Sequence, residues 1–403
     1  MKKKYSLKIL IFLISILLIN PFDGTAKKLP VSALSITYPS YNTSPKAPDT
    51  TGMSSNAVEL AAKIKLGWNI GNTFEAPGGE TGWGSPVITE DYIKFVKQQG
   101  FNAIRLPCAW NSTHLIDEST ACIDINWLNR IKEVIGYCVK NDMYVLLNIH
   151  WDKGWLENNC TAVKKDQVNA KQKALWEQIA TAMRDFDEHL MFASANEPNV
   201  ENSSQMEVLN SYHQTFVNAV RSTGGRNSYR VLVVQGPSTN MEKTCNLMNY
   251  LPTDKVEGRM MVEVHYYEPF QFCLMESDAN WGKMFYYWGA GHHSNIEPDH
   301  NANNGEENDV NSAFSKMKAK FVDRGIPVLL GEYGAYRRKR GAHVPLDQAT
   351  HNDAVDYWLT YITKQAKANG MLPFFWDTGG ALDRRTYSVK DQRTIAAINA
   401  GAN

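Results

Sequence analysis

The sequence predicts an α/β fold, a single (β/α)8 barrel behind an N-terminal signal and linker segment. Three observations carry that prediction. Short apolar runs alternate with longer amphipathic ones from about residue 56 to the C-terminus, the pattern of strand-helix units around a parallel sheet. Eight strand-like runs can be counted, the number that closes a barrel. The turn after the first of them, Gly67-Trp68-Asn69-Ile70-Gly71-Asn72-Thr73, puts Trp and Asn where an open dinucleotide-binding sheet needs small residues.

Length and composition agree with one large domain. The chain has 403 residues, 43% of them hydrophobic, and barrels of this size are ordinary. Its 42 basic and 42 acidic residues cancel, so no charge bias points to nucleic acid or a membrane surface, and a neutral polymer suits the balance. A monomer is expected.

Taken in order, residues 1–26 open with Met1-Lys2-Lys3-Lys4 and continue into an apolar run over 9–19, broken only by Ser15. A basic start and a short apolar core make a secretory signal, too short for an ordinary membrane span. Export is expected, to the medium, the periplasm or the cell surface; the alternative is an uncleaved N-terminal anchor. Residues 27–55 are rich in Ser, Thr, Asn and Pro, including Pro30, Pro39, Pro45 and Pro48, and read as a flexible linker. The barrel is expected over 56–403. Its strands are predicted at 65–70, 103–106, 144–149, 190–195, 230–234, 260–265, 328–331 and 372–376. Helices are predicted at 90–99, 127–139, 174–185, 206–220, 310–322 and 354–368. Six cysteines at 108, 122, 138, 160, 245 and 273 have no metal-type spacing, and Cys138 falls in a helix interior as a small buried side chain.

In such a barrel the reactive groups sit where strands end. The predicted strand ends carry Asn72, Arg105, His150, Asn196 with Glu197, His265 with Tyr267, Glu332 and Trp376. One carboxylate after a strand is usually a cap or an ion-pair partner. The set is what matters. Glu197 in Ala-Asn-Glu-Pro and Glu332 in Gly-Glu-Tyr-Gly follow strands four and seven, which face each other across the barrel. Glycoside hydrolysis needs two such carboxyl groups, one to protonate the leaving oxygen and one ionised.

These motifs resemble glycoside hydrolase family 5. The resemblance extends to Gly67-Trp68-Asn69-Ile70-Gly71-Asn72-Thr73, Ile104-Arg105-Leu106-Pro107, Leu147-Asn148-Ile149-His150, His265-Tyr266-Tyr267 and Phe374-Phe375-Trp376-Asp377, and covers the chain from about residue 56 to its end. It implies a retaining, endo-acting hydrolase of internal β-1,4-glucosidic bonds in cellulose-type glucans, with no cofactor and no metal. Glu197 would be the acid/base, its pKa raised while its neighbour is ionised, and Glu332 the nucleophile. Arg105 and Tyr267 would hold Glu332, and Asn196 the sugar 2-hydroxyl. His150 and His265 would contact the reacting sugar, Asn72 would lie in the substrate site, and Trp376 would form its floor. His150-Trp151, where many members have two histidines, and Ala193, where many have Glu, leave the glycan open: mannan, xyloglucan and mixed-linkage β-glucan are alternatives. A silent glycan-binding barrel is the alternative from another class, and it would be expected to lack one of the two glutamates.

Other features get plainer readings. His292, His293 and His300, with Glu297 and Asp299, lack ligand spacing and are expected in a solvated loop. The run Arg337-Arg338-Lys339-Arg340 is expected as a solvated face. Of the aromatics Phe270, Phe272, Trp281, Phe285, Tyr286, Tyr287 and Trp288, and of Trp83, Trp151 and Trp155, most are expected to pack loops, with one or two in each group serving as sugar platforms.

Overall fold

The computed structural model describes residues 37–403 except 340 and 342; the expected signal at 1–26 and the start of the linker lie outside the described residues. Eight parallel strands close a barrel: β1 (Gly67–Ile70), β2 (Ala103–Leu106), β3 (Tyr144–Asn148), β4 (Leu190–Ala193), β5 (Leu232–Gln235), β6 (Met260–Tyr266), β7 (Val328–Tyr333) and β8 (Met371–Asp377). Each is followed by a helix: α1 (Glu90–Gln98), α2 (Ile125–Lys140), α3 (Lys165–Met183), α4 (Ser203–Ser222), α5 (Met241–Leu247), α6 (Glu307–Lys320), α7 (Gln348–Ala368) and α8 (Gln392–Ala402). All eight strands coincide with predicted runs, with shifts of one or two residues at their ends. The helices α5 and α8 were not predicted. Both begin at side-chain caps, Asn240 and Asp391, which accept the main-chain N–H of Lys243 and Thr394.

The alternation of strand side chains builds two apolar layers. Outward residues such as Ile104, Val145, Leu147 and Val262 join the helices in the main core. Inward residues at the strand starts, among them Tyr144, Leu146, Val233, Leu329 and Phe374, pack with Ala57, Leu60 and Ile64. A helix at Ala57–Lys63, begun by an Asn56–Glu59 capping box, thereby plugs the N-terminal end of the barrel. That leaves the opposite end free for polar groups. Among the described residues, no helix is long and apolar enough to cross a membrane.

Four expectations need revision or detail. Residues 37–55, counted with the linker on composition, lie along the barrel: Lys46–Pro48 pairs with Gly224–Gly225, Tyr41 N–H donates to Glu177, and Met53 is buried. Extended backbone rich in Pro can still pair at a sheet edge, and composition does not register that. The basic run is solvated only in part: Lys339 is exposed, Arg337 is half-buried, Arg338 is buried, and Arg340 lies outside the described residues. Arg337 is ion-paired to Asp356 and Asp391, and buried Arg338 donates to Met275 O at 2.7 Å beneath the Tyr286 ring. The histidines of the 292–300 loop each have a separate neighbour, His292 stacking on Tyr357, His293 bonding Glu306 and His300 stacking on Tyr286. All six cysteines are free, and Cys138 is buried in α2.

The plug gives a direct test of the inner layer. Leu60 is fully buried in it, so Leu60→Ala should cost about 2–5 kcal/mol of stability. Urea unfolding should show a lower midpoint at unchanged slope, with activity at low temperature preserved because the plug is remote from the mouth.

Candidate active site

One buried cation organises the mouth of the barrel. Arg105 points from β2 toward the axis and is fully buried. Its Nη1 donates to Glu332 Oε1 at 2.7 Å and to Asn69 Oδ1 at 3.0 Å, Nη2 donates to Asn196 Oδ1 at 2.8 Å, and Nε stands 2.8 Å from Glu263 Oε1. A single guanidinium therefore ties β1, β2, β6, β7 and the segment after β4. Close approach is needed to fit it. A side chain at Gly331 would place its Cβ 2.1 Å from Glu263 Oε1, and one at Gly71 would sit 2.6 Å from the Trp376 ring.

His265 forms the second bridge. Its Nδ1 lies 2.7 Å from Glu197 Oε1 and 3.7 Å from Glu332 Oε2, and its Nε2 lies 3.3 Å from Glu263 Oε1. Burial works against an imidazolium there, but Glu332, Glu197 and Glu263 hold its proton to about 9. His150 behaves oppositely. Burial first, then the charges of Arg105 and His265, push it well below the usual histidine range, and it stacks as a neutral ring on Trp376 at 5.7 Å.

Glu197 and Glu332 face one another closely enough that one oxygen of each lies within 4.8 Å of the other and of a His265 nitrogen. Glu332 also accepts from Tyr267 Oη at 3.0 Å. Their exposure differs: 44% of the Glu197 side chain reaches solvent against 8% for Glu332. Burial resists charge on Glu197, yet the hydrogen bond from His265 and the charges of His265 and Arg105 outweigh it and lower its pKa. At Glu332 burial outweighs His265 and Arg105 and raises it. The expected order, with Glu197 the raised member, is thus reversed, because His265 donates to Glu197. Carboxyls this close share their protons and titrate as a pair. Glu197, His265 and Glu332 are also the one group among the described residues whose donor atoms could surround a metal ion. The cationic demand of that cluster is already met by Arg105 and protonated His265.

Residues 69–381 match the model of the family described as cellulase, glycosyl hydrolase family 5. The chain belongs to that family. It is 34% identical to the xyloglucan-specific endo-beta-1,4-glucanase of Bacteroides ovatus over 89% of this chain and 72% of that one. With endoglucanase A of Paenibacillus barcinonensis it shares 31% identity over 94% of this chain and 99% of the other. The crystal structure of a xyloglucan-specific beta-1,4-glucanase from a ruminal metagenomic library, in complex with XXLG, superposes with a TM-score of 0.79 at 38% identity, covering 86% and 96% of the two chains. The family 5 enzyme described here is a retaining endo-β-1,4-glucanase.

The mouth of this endoglucanase opens into two cavities. The larger, about 1240 Å³, is lined by Asn72, Glu332, Tyr267 and Trp376; the smaller, about 540 Å³, by Ser238, Asn240, His265 and Phe270. Glu197 lines both. Of the aromatics after β6, Phe272, Phe285, Tyr286, Tyr287 and Trp288 are buried, whereas Phe270 and Trp281 are exposed with rings 6.2 Å apart. Trp83 and Trp151 are exposed as well, and Trp155 is half-buried beside Lys171.

Sequence reasoning overlooked Asn69, Glu157, Gln235 and Glu263. Glu263 was recoverable, since strand alternation puts it on the same inward face as His265 two residues on. Gln235, at the end of β5, accepts Ala195 N–H at 2.8 Å and donates to Glu263. Glu157 lies in the loop after β3, where no periodicity marks it.

The close fit at Gly331 generates a test. Gly331→Ala must displace Glu263 and with it the Arg105 bridge, and a misplacement of about 1 Å near the chemistry costs on the order of a hundredfold in rate. The variant should fold, by circular dichroism, and lose at least about tenfold in kcat. Wild-type turnover would show that the glycine is not needed for the approach.

Proposed function

We propose that the enzyme cleaves internal bonds of a β-1,4-glucan backbone that carries side branches, xyloglucan, with Glu332 as nucleophile and Glu197 as acid/base. The observation that carries this reading is the place of Glu197, on the wall common to both cavities. A chain crossing from one cavity to the other passes the proton donor in its middle, which suits internal cleavage. The larger cavity exceeds the ~300–1,000 Å³ of ordinary small-molecule sites, leaving width for branches. The Bacteroides ovatus relative and the metagenomic structure both bear xyloglucan in their descriptions. An unbranched glucan is the second reading, since the Paenibacillus relative is named simply as an endoglucanase. The basic start and apolar run of the first 26 residues support export toward such a polymer.

In this mechanism Arg105 and Tyr267 favour the ionised form of Glu332 by direct donation at 2.7 and 3.0 Å, against the burial that raises its pKa. A sugar filling the mouth strips water from the exposed Glu197 carboxyl and raises it, moving the pair's proton to Glu197. Glu332 then attacks the anomeric carbon while Glu197 protonates the leaving oxygen, forming a covalent glycosyl-enzyme. Glu197, left ionised, takes a proton from water as that water displaces Glu332. A separation under about 5.5 Å suits direct attack. Asn196, held by Arg105, is placed for the 2-hydroxyl, and Trp376 with neutral His150 offers an apolar floor.

Initial rates on xyloglucan, carboxymethyl cellulose, mixed-linkage glucan and mannan will test the substrate. Xyloglucan should lead by about tenfold or more in kcat/KM, about 1.4 kcal/mol of transition-state binding; equal rates on the unbranched glucan favour the second reading, and mannan in the lead rejects both.

The residue roles are tested separately. Glu332→Gln should remove hydrolysis with folding intact. Glu197→Ala should recover activity with azide, giving a β-glycosyl azide, and the first sugar released by the wild type should be the β-anomer by NMR. An α-anomer as first product rejects the direct attack.

A further inference from the structure

Glu157 is a buried carboxyl beside the proton donor that the chemistry above does not use. It is 2% exposed, in a short turn after β3. Its Oε1 accepts the main-chain N–H of Glu197 at 2.7 Å, and its Oε2 is buried without a partner. The two loops are fastened at further points. Asn199 N–H donates to Glu157 O at 3.0 Å, and Asn199 Nδ2 donates to Asn158 Oδ1 at 2.6 Å. A carboxylate left with one neutral donor and an orphaned oxygen would be costly to bury.

The charges around it point the same way. Arg105 and protonated His265 supply two positive charges, and ionised Glu263 supplies one negative. In the mechanism above Glu197 and Glu332 hold one proton between them, so the pair supplies the second negative charge. The cluster is then neutral, and it stays neutral in the glycosyl-enzyme, where Glu332 is esterified and Glu197 ionised. An ionised Glu157 would leave it with an excess negative charge throughout.

We propose that Glu157 is a positioning residue that works as a neutral carboxylic acid, holding the Glu197 segment through Oε1 while adding no charge to the catalytic cluster. The groups that face it agree. Burial raises its pKa most; the N–H of Glu197 lowers it, the Glu197 charge raises it, His265 lowers it and Glu332 raises it, leaving it at about 8. On its own loop, Cys160 is likewise buried as a neutral thiol. The inference rests on Glu197 being the acid/base, but the thermal and infrared measurements below do not.

Glu157→Gln keeps the acceptor oxygen and the neutral charge, so kcat/KM at pH 6 should stay within about twofold of wild type. Its alkaline limb should extend to higher pH, because the ionisation that unbalances the cluster is gone. Glu157→Ala frees the Glu197 N–H and should lower kcat by about tenfold or more. A Gln variant as damaged as the Ala variant, with the wild-type pH profile, overturns the proposal. Stability supplies a second readout. The unfolded chain loses this proton near pH 4.3 and the folded one at about 8, so folding takes up a proton between them and stability falls as pH rises through that window. The Tm of Glu157→Gln minus that of wild type should therefore grow from about pH 4.3 to about 8 and level above it. A difference independent of pH refutes the neutral form. If the Gln variant does not fold, infrared spectra of Glu157→Ala against wild type decide: a protonated-carboxyl stretch that the wild type carries at pH 7 and loses above about pH 8, and that Glu157→Ala lacks, is required, and a stretch unchanged by the substitution rejects the idea.

Discussion

The burial of Arg105 is the constraint on which the mouth of the barrel depends. A guanidinium with no solvent access needs acceptors and opposite charge around it. Asn69, Asn196 and Glu332 accept from its terminal nitrogens, and the Glu263 carboxylate stands beside Nε as a second counter-charge. Because these partners come from different strands, satisfying one cation fixes the relative heights of β1, β2, β6 and β7 at their C-terminal ends. Removing Glu263 or Glu332 takes away one of its two counter-charges, and breaking a buried ion pair costs about 3–5 kcal/mol. Stability and preorganisation are therefore the same requirement here, and the glycine at 331 exists to let Glu263 come close enough.

The plug of Ala57, Leu60 and Ile64 explains why this polar cluster can exist at all. With the N-terminal half of the barrel filled by an apolar layer, the inward positions above it are released from packing duty. They carry charge that is desolvated on three sides and open on the fourth. In that setting the same burial has opposite results on two histidines. His265, among three carboxylates, keeps its proton, and His150, facing Arg105 and His265, loses it.

The barrel was legible because its strands are buried on both faces and read as apolar runs such as Leu190–Ala193, and because Trp376, Glu332 and Arg105 sit at or next to their ends. Contacts made by irregular backbone were not legible. Residues 37–55 look like a linker in composition, yet Lys46–Pro48 finds a strand partner nearly 180 positions away. Arg337 and Arg338 look like a solvated run, but Asp356, Asp391 and the Tyr286 ring, all remote in sequence, bury them. Glu157 carries no pattern, being defined only by the fold that brings its loop against Glu197. Periodicity reports which face of an element is apolar and is silent about which loops meet.

The two catalytic glutamates are held in different ways, and the difference matches the work each is given. Glu332 lies within β7, paired with His265 of β6 and followed by the Tyr333–Phe375 pair with β8, and has two direct donors, so its position is inherited from the barrel. Glu197 lies beyond the end of β4, and its segment is assembled from neighbours: Gln235 takes the N–H of Ala195, Glu157 takes its own N–H, and His265 and Thr239 meet its carboxyl. A nucleophile that must stay ionised and still belongs on the rigid element. A proton donor must trade protons with a leaving group and then with water, so it needs a face to solvent, and a strand interior cannot provide one. The exposed carboxyl of Glu197 is thus obtained by leaving the strand, and the cost is that its backbone must be fixed by side chains from the loop after β3 and the end of β5.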